Sequence, residues 1–438
     1  MSSKSFAAVV AALAAALAAA PVAGAQQYPP PSKPQGSTGK PKGPFKTLYV
    51  CKKKSQFPGK RCFPRITDAV KRASAGDTIR VAPGTYKESV SITGSKKRYI
   101  NLIGDPKRPE RVVLDGENKR ANGVLINSAD EVTVNGFTAT RYRANGFFVT
   151  NAKGYSFTNL RAVRAGVYGL YAFNSIGGKM TKSVAYYHSD AGFYVGQTPP
   201  QAKPVRTLIK NVEAYGNVLG YSGTNSRYVT ITDSKFYNNG SGIVPNALDS
   251  EKYPPAENNV ITRNEVFWNN FNYYLGAPFR RGSTTAGGVP YPIGVGILLY
   301  GGRGNQVTNN KVYGNYLVGI GAMQAITLQQ ADAKDLVGNR IAGNEFGLGG
   351  QDPNGRDLFY DGNGSDNCFE NNGPSPKLFP EDGSTFRPCS QKGPNVFNAG
   401  AQATAIGWAL AEDHEAAWIR GPHVSKPGIK PLERWSSR

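Results

Sequence analysis

A glycine followed by an apolar triplet recurs along the chain at a nearly constant spacing, and this repeat limits the fold more than any other feature. The first four copies begin at Gly123, Gly146, Gly169 and Gly192 and are 23 residues apart. Later copies begin at Gly220, Gly242, Gly296, Gly319 and Gly347. A repeat of this length holds two or three short strands, so it cannot bury its own inner face and needs neighbours above and below. The repeat therefore predicts an all-β solenoid.

A second series of polar residues follows the glycine series. Its members are Asn135, Asn159, Ser183, Asn211, Asp233, Asn264 and Asn309. The long gaps in the two series coincide, which indicates insertions within single coils. Two polar ladders are also predicted, one through Asn127, Asn151, Asn174, Gln197, Asn225 and Asn246 and one through Asn217, Asn239, Asn270, Asn315 and Asn344. Stacked amides satisfy one another's donors and acceptors, so we expect a structural role for these residues.

Two groups of motifs carry a resemblance to a known family. One is Gly76-Asp77-Thr78-Ile79-Arg80-Val81 followed by Pro83-Gly84-Thr85-Tyr86, and the other is the Asn- and Gly-rich coils such as FYNNGSGIV (236–244) and VYGNYLVGIG (312–321). Over roughly residues 64–372 the chain resembles the right-handed parallel β-helix proteins of the pectin-lyase-like superfamily. The resemblance implies a single-stranded right-handed parallel β-helix (solenoid) of about ten coils with short helical caps. That superfamily includes polysaccharide lyases, glycoside hydrolases, epimerases, phage tail fibres and adhesins, so the fold does not settle the function.

The four cysteines bracket the predicted solenoid as two sequence-local couples. Three pairings are formally possible, but the ends of a long stack lie far apart, which favours Cys51 with Cys62 and Cys368 with Cys389. Disulfides in turn indicate an oxidising compartment. A metal site is disfavoured because CxxC spacing and nearby histidines are missing, and we expect neither a metal nor another cofactor.

Both ends of the stack need a cover. A short helix is predicted over 66–73, with Ile66, Ala69, Val70 and Ala73 on one side, and a helix-like pattern lies within 401–420. The solenoid with its N-terminal cap is therefore predicted at 46–397, a C-terminal helical cap at 398–421 and a basic tail at 422–438.

The N-terminus has the pattern of a secretory signal peptide over residues 1–25. Lys4 precedes an apolar stretch over 6–20, and Ala23-Gly24-Ala25 fits a signal-peptidase site. The alternative, a transmembrane anchor, needs about 20 apolar residues without a cleavage site. Residues 26–45 are rich in Pro and Lys and are predicted to form a disordered linker. We expect a secreted protein, extracellular or in the cell envelope, without a transmembrane segment after cleavage.

The net charge of +22 would suit a nucleic-acid-binding protein, but it is concentrated at the ends of the chain. Residues 1–62 carry +10 and residues 422–438 carry +3, which leaves +9 for residues 63–421. A mildly basic body suits an anionic ligand. The expected partner is an acidic polysaccharide and not a nucleic acid.

An aromatic column is predicted on the outside of the stack. Counted from the second series, the fourth following residue is Tyr187, Tyr215, Tyr237, Trp268 and Tyr313 in five coils. If the preceding residues point inward, strand alternation turns this column outward. Exposed aromatic faces suit a sugar polymer, and the alternative is a stack that only tightens the coils. Tyr215, Tyr237 and Trp268 are predicted to bind substrate.

A polar cluster is predicted where the fifth following residue is Arg164 in one coil and His188 in the next. Adjacent coils are about 4.8 Å apart, so these side chains are expected to be neighbours, with Tyr187 and Asp190 in the same turn. A guanidinium beside an imidazole keeps the imidazole neutral and able to accept a proton. The alternative is an ordinary polar histidine. The prediction assigns catalysis to these four residues and substrate binding to the nearby Arg143.

A long insertion at residues 271–293 is expected beside the same column, and its Arg280 and Arg281 are predicted to bind substrate. The carboxylate clusters that calcium-dependent pectate lyases and polygalacturonases need are not visible in the sequence. Two classes of function remain open. One is a lyase-like or epimerase-like enzyme that acts on an acidic polysaccharide, and the other is a non-catalytic extracellular or envelope protein that binds a glycan or is structural.

Overall fold

The computed structural model of the chain describes residues 39–271, 273, 291–347 and 352–410. The predicted signal peptide, the predicted basic tail, and Arg280 and Arg281 lie outside these residues, as does the predicted linker up to residue 38. The end of that linker lies against the body, because Arg98 Nε donates to the carbonyl oxygen of Gly39 at 3.2 Å.

The described chain is built from short strands with a helix near each end. The strands in chain order are β1 (Thr47–Val50), β2 (Cys62–Phe63), β3 (Thr78–Val81), β4 (Gly84–Tyr86), β5 (Val90–Thr93), β6 (Asn101–Ile103), β7 (Val112–Asp115), β8 (Asn122–Asn127), β9 (Thr133–Thr140), β10 (Asn145–Thr150), β11 (Ser156–Val163), β12 (Tyr168–Phe173), β13 (Lys179–Thr181), β14 (Val184–Tyr186), β15 (Ala191–Gly196), β16 (Thr207–Lys210), β17 (Glu213–Tyr215), β18 (Leu219–Thr224), β19 (Val229–Thr232), β20 (Lys235–Tyr237), β21 (Ser241–Asn246), β22 (Val260–Thr262), β23 (Glu265–Phe267), β24 (Val295–Tyr300), β25 (Gly302–Arg303), β26 (Gln306–Thr308), β27 (Lys311–Tyr313), β28 (Val318–Met323), β29 (Leu336–Val337), β30 (Arg340–Ala342), β31 (Glu345–Phe346), β32 (Leu358–Tyr360), β33 (Cys368–Glu370) and β34 (Leu378–Phe379). The helices are α1 (Ile66–Arg72) and α2 (Ala399–Leu410), and single 3-10 turns occur at Lys54–Gln56, Ser95–Lys97, Pro109–Arg111 and Ala331–Ala333.

These strands form two long parallel sheets that run along the stack. The first sheet contains 21 of the described strands, and the second contains 11, ordered from β5 through β8, β10 and β12 to β34. Equivalent residues of successive coils pair in register, as Phe147 does with Leu170 and Leu170 with Phe193. The molecule is therefore the parallel β-helix that the repeat predicts.

The hydrophobic core fills the inside of the coils. Side chains alternate along each strand, so Phe147 and Val149 of β10 belong to the core while Phe148 faces outward. The outer face of the second sheet is itself buried, because Phe271, Tyr273, Tyr291 and Ile293 pack against it. The prediction that the 271–293 insertion lies beside the aromatic column is therefore wrong for its described residues.

The N-terminal end of the core is covered by α1, as predicted. Ile66, Ala69 and Val70 face the core. The backbone N–H groups of Ile66 and Thr67 donate to the Glu88 carboxylate at 3.0 Å each, which satisfies two donors at the start of the helix. The predicted disulfide between Cys51 and Cys62 is present beside this helix.

The C-terminal end of the core is covered by a disulfide-closed loop, whereas the described part of the helical cap predicted at 398–421 packs beside it. Helix α2 lies on the outer face of the second sheet, where Ala401 and Ala405 pack against Val318, Met323 and Phe359. The second predicted disulfide, Cys368–Cys389, closes a loop. Phe386 of this loop packs against Phe369 at the end of the core, with ring centroids 4.9 Å apart.

Candidate functional site: a buried acid and tyrosine cluster

The repeated glycine makes room for a ladder of polar side chains inside the coils. Asn239 shows the arrangement: its Oδ1 accepts from the backbone N–H and the Nδ2 of Asn217, and its own Nδ2 donates to the carbonyl of Ala214 and to Asn269 Oδ1. A Cβ on Gly220 would lie 2.6 Å from the Gly242 carbonyl oxygen of the next coil and 2.9 Å from Asn239 Nδ2, which explains why this position is glycine. We call the set the inner ladder, and its members are His188, Asn217, Asn239, Asn269, Asn315 and Asn354.

His188 is the first rung of the inner ladder and is fully buried. Its Nδ1 accepts from the backbone N–H of Ala165 at 3.1 Å, and its Nε2 lies 3.2 Å from the carbonyl oxygen of Ala162, to which it donates in the tautomer that fits both contacts. These are the two contacts that the asparagine amide makes in later coils. Burial lowers the pKa of His188 to about 4, so the ring is neutral. The expectation that His188 faces a ligand beside Arg164 is therefore wrong, because both ring nitrogens are used inside the coil.

Two rungs of the predicted ladder are also displaced. The structure places Asn269 rather than Asn270 in the inner ladder, and Asn354 rather than Asn344. Asn344 lies in a separate ladder, which runs through Asn264, Asn310, Asn344 and Asn372.

The aromatic column of the first sheet differs from the predicted one at two coils. The stacked rings belong to Tyr186, Tyr215, Tyr237, Phe267 and Tyr313. Their centroids are 4.8 to 5.3 Å apart, so the ring faces lie against one another. Exposure falls along the column until Phe267 and Tyr313 are buried. The expectation of exposed faces is therefore wrong for this column.

The displacement has a local cause. Asn211 and Asp233 of the second series are turn residues with positive φ, whereas Ser183 and Asn264 follow such a residue by one position. Counting four residues from Ser183 and Asn264 therefore overshoots by one. Tyr187 and Trp268 are positive-φ residues just past the column, and each packs edge-on against it.

The remaining predicted residues do not converge. The Arg164 guanidinium lies 5.6 Å from the centre of the Tyr187 ring, so these two are neighbours as expected. Arg143 is exposed, three residues past the end of β9. Asp190 lies on the other side of the coil, against the outer face of the second sheet. The four residues assigned to catalysis thus occupy three environments.

Asp190 belongs to a cluster that we call the acid–tyrosine cluster, which consists of Tyr168, Asp190, Tyr194, Glu251 and Tyr291. Tyr168 hydrogen-bonds to Asp190, and the Tyr194 hydroxyl donates to Glu251 Oε1. The Tyr168 and Tyr194 rings are 4.6 Å apart. Asp190 Oδ1 and Glu251 Oε2 are buried and have no hydrogen-bond partner among the described residues.

A loop brings Glu251 to this face from a distant part of the sequence. Asn225 Nδ2 donates to the carbonyls of Leu248 and Glu251 at 2.9 and 2.7 Å, and the backbone N–H of Lys252 donates to Gln197 Oε1 at 3.0 Å. Gly196 leaves space for the carboxylate, since a Cβ there would lie 2.6 Å from Glu251 Oε2. The position of Glu251 is therefore fixed by the coils beneath it.

Both carboxyl groups of the cluster have strongly perturbed pKa values. Burial raises the pKa of Asp190 to about 7, although the Tyr168 hydrogen bond opposes this shift. Burial also raises the pKa of Glu251 to about 8, with a smaller contribution from the charge of Asp190. The pKa of Tyr291 is raised well above its usual value by burial and by these two charges. Carboxyl groups that titrate near neutral pH are frequent at sites of proton transfer.

The glycine repeat carries a signal for the tyrosines on this face. Tyr171 and Tyr194 are the middle residues of the apolar triplets after Gly169 and Gly192, and alternation turns that position outward. Tyr171 lies 4.9 Å from Tyr194, ring to ring. Nothing in the spacing indicates that Glu251 reaches them, because it lies 57 residues beyond Tyr194.

The described residues show no group of three or more His, Cys, Asp or Glu side chains that could hold a metal ion. No helix within these ranges is long and apolar enough to cross a membrane.

Comparison with known proteins gives a family match and several similar folds. The model of the right handed beta helix region matches residues 122–407. Among solved structures, the A-module of the mannuronan C-5 epimerase AlgE4 of Azotobacter vinelandii is 16% identical, covering 70% of this chain and 92% of that chain with a TM-score of 0.44. A rhamnogalacturonan lyase is 15% identical over 68% of this chain and 75% of its own, with a TM-score of 0.39. The alginate lyase from Paenibacillus sp. str. FPU-7 is 16% identical over 72% and 97%, with a TM-score of 0.36. No curated protein matches the sequence.

Proposed function

We propose that this chain, which belongs to the right-handed β-helix family, binds an acidic polysaccharide and carries out proton-transfer chemistry on it at the acid–tyrosine cluster. One observation carries the proposal: Asp190 and Glu251 titrate near neutral pH, and Glu251 shares a hydrogen bond with the Tyr194 hydroxyl. A carboxyl pair of this kind can give and accept protons at the pH of most extracellular fluids.

The two acids suit different roles at pH 7. Glu251 is mainly protonated, so it can donate a hydrogen bond to the carboxylate of a uronate sugar and reduce its charge. Asp190 has the lower pKa of the two, and in its ionised form it can accept the proton on the carbon next to that carboxylate. This proton is acidified when the sugar carboxylate is neutralised.

Two reactions follow from such proton removal. In an elimination, the C–H bond and the bond from the neighbouring carbon to the glycosidic oxygen break, a carbon–carbon double bond forms, and the leaving oxygen takes a proton from a hydroxyl such as that of Tyr194. In an epimerisation, a second acid such as the Tyr194 hydroxyl protonates the same carbon from the opposite face, and no bond between sugar units breaks. Both reactions balance without an oxidant or a metal.

The charge of the molecule supports the choice of an anionic ligand. The body from residue 63 to 421 carries +9. A positive surface raises the local concentration of anionic polymers and accelerates their encounter.

Burial of the cluster favours a second candidate function, glycan binding without turnover. Asp190 is 4% exposed and Tyr194 is 2% exposed, so the described residues leave a polymer no open path to these groups. In this alternative the protonated carboxyl groups only fasten the loop that carries Glu251.

A panel of acidic and neutral polysaccharides tests both candidates. Each polymer is incubated with wild-type protein, with Glu251→Gln and with the control Glu213→Gln, which removes an exposed carboxylate from β17 of the first sheet. Elimination is detected from the ultraviolet absorbance of the unsaturated uronate. Epimerisation is detected by proton NMR. The proposal expects one of these signals on a carboxylated polymer, lost in Glu251→Gln and retained in Glu213→Gln. Binding without either signal selects the second candidate, and equal activity of both variants overturns the site.

A further inference from the structure

The N-terminal end of the β-helix carries most of the positive charge of the described chain. Residues 39–100 contain 16 Lys and Arg against 3 Asp and Glu, a net charge of +13. Fourteen of the 16 cationic side chains are exposed. Charge of one sign at this density creates a potential that attracts polyanions.

The centre of this charge is the loop from Cys51 to Cys62, which we call the cationic loop. Its cations are Lys52, Lys53, Lys54, Lys60 and Arg61, and it contains no acid. All five are exposed, and none forms an ion pair within the part of the chain that the structure describes. Elsewhere in the cap, Arg65 is paired with Asp68 and Lys87 with Glu117.

The cationic loop has a fixed conformation. The Cys51–Cys62 disulfide closes it. Gln56 Oε1 accepts from the backbone N–H groups of Lys52 and Lys53 at 2.8 and 3.1 Å, and its Nε2 donates to the Pro83 carbonyl at 2.7 Å. Holding five like charges on one short loop costs free energy that a bound polyanion would recover.

The other disulfide-closed loop of the molecule does not share this positive charge. The loop between Cys368 and Cys389 is also closed, yet it holds two cations and three acids: Lys377 and Arg387 against Glu370, Glu381 and Asp382. The two ends of one molecule therefore offer different surfaces to a charged polymer.

We infer that the cationic loop is a docking surface for an anionic polysaccharide, separate from the acid–tyrosine cluster. Two disulfides suit an oxidising compartment, where nucleic acid is not the expected partner. The only large apolar side chain of the loop, Phe57, packs on Tyr49 with ring centroids 5.0 Å apart, so it is not free to enter a lipid surface. The choice of a polysaccharide rests on the proposed function, whereas the cationic surface does not. Docking at this end would hold the protein on the polymer while the second sheet engages a different stretch of it.

Binding to immobilised polygalacturonate tests the docking surface. The variant Lys52→Gln, Lys53→Gln, Lys54→Gln, Lys60→Gln is compared with the control Lys119→Gln, Lys179→Gln, Lys182→Gln, Lys203→Gln, which removes the same charge from exposed positions outside the cap. The loop variant is expected to bind about tenfold more weakly at low salt and to show a shallower dependence on salt, because fewer counterions are released. The control is expected to stay within about twofold of wild type, and unchanged melting temperatures verify that both variants fold.

Three results would overturn the inference. Equal binding by the loop variant and wild type would show that the loop is not the docking surface. An equal loss in loop variant and control would show that only net charge matters. Binding to double-stranded DNA or to phosphatidylglycerol vesicles as strong as to polygalacturonate would remove the assignment to a polysaccharide. The loop variant and its control both keep Asp190, Tyr194 and Glu251 unchanged, so their difference in binding is measured whether or not the proposed reaction occurs.

Discussion

His188 and Asp190 are two residues apart and both buried, yet they lie in opposite environments. In the inner ladder, both nitrogens of His188 meet backbone groups of the preceding coil. In the acid–tyrosine cluster, Asp190 Oδ1 and Glu251 Oε2 meet no partner among the described residues, and both carboxyl groups have raised pKa values. A satisfied buried polar group stabilises a fold, whereas an unsatisfied one needs another explanation. Asp190 is therefore a better candidate than His188 for a role in proton transfer.

The largest expected effect comes from removing a rung of the inner ladder. Asn239→Ala deprives the backbone N–H and Nδ2 of Asn217, the Ala214 carbonyl and Asn269 Oδ1 of a partner. At roughly 1 kcal/mol for each of these four hydrogen bonds, the free energy of unfolding should fall by about 4 kcal/mol. Urea denaturation measures the loss. Gln306→Ala removes an exposed amide and should change stability little, and a similar small change for Asn239→Ala would contradict the ladder.

The acid–tyrosine cluster should make stability depend on pH in the opposite sense to an ordinary ion pair. Native Asp190 and Glu251 hold protons up to about pH 7 and 8, whereas the unfolded carboxyl groups lose them near pH 4. The native state therefore binds more protons in this range, and stability falls as pH rises from about 5 to 8.

Glu251→Gln removes one of the two groups and should be more stable than wild type at pH 8 by roughly 3 kcal/mol, with a smaller difference at pH 5. Melting temperatures at the two values of pH provide the measurement. The exposed control Glu213→Gln should track wild type throughout. A wild-type stability that is flat between pH 5 and 8 would show that the carboxyl groups are ionised in the folded protein.

Replacing His188 distinguishes a ladder rung from a catalytic base. His188→Ala leaves the Ala165 N–H and the Ala162 carbonyl without a partner and should lower the free energy of unfolding by about 2 kcal/mol. His188→Asn places at this rung the residue that the following coils use, and it should recover at least half of the loss. If turnover is detected, His188→Asn should retain it. A His188→Asn variant that is stable but inactive would show instead that His188 acts as a general base.

The smallest effect is expected from the aromatic column. Tyr237→Leu removes ring contacts with Tyr215 and Phe267 at 5.3 and 5.0 Å and should lower the free energy of unfolding by about 1 kcal/mol. Because the ring faces are already paired, affinity for an acidic polysaccharide should not change. Isothermal titration calorimetry with a polymer that the wild-type protein binds measures the affinity. A loss of affinity would show that the aromatic column contacts the polysaccharide.

The fold could be predicted closely from the sequence because its signals are local and periodic. The glycine repeat predicts the solenoid, the spacing of the cysteines predicts both disulfides, and the pattern over 66–73 predicts α1, all of which the structure confirms. The site could not be predicted in the same way. Ser183 follows the positive-φ residue Lys182, and this shift of one position moved the expected column from Tyr186 to Tyr187.

The sequence by itself determined which coils exist and what holds them together. Glycine recurs because a Cβ would collide with the backbone carbonyl oxygen of the equivalent glycine in the next coil, as at Gly169, where it would lie 2.4 Å from the Gly192 oxygen. That requirement is repeated in every coil, so it is visible as a period. Only the tertiary structure decided where each polar group points, because a shift of one residue at a turn reverses the direction of a side chain. It also decided that Glu251 meets Tyr194, since that contact depends on a loop held in place by Asn225 and Gln197 and not on any spacing along the chain.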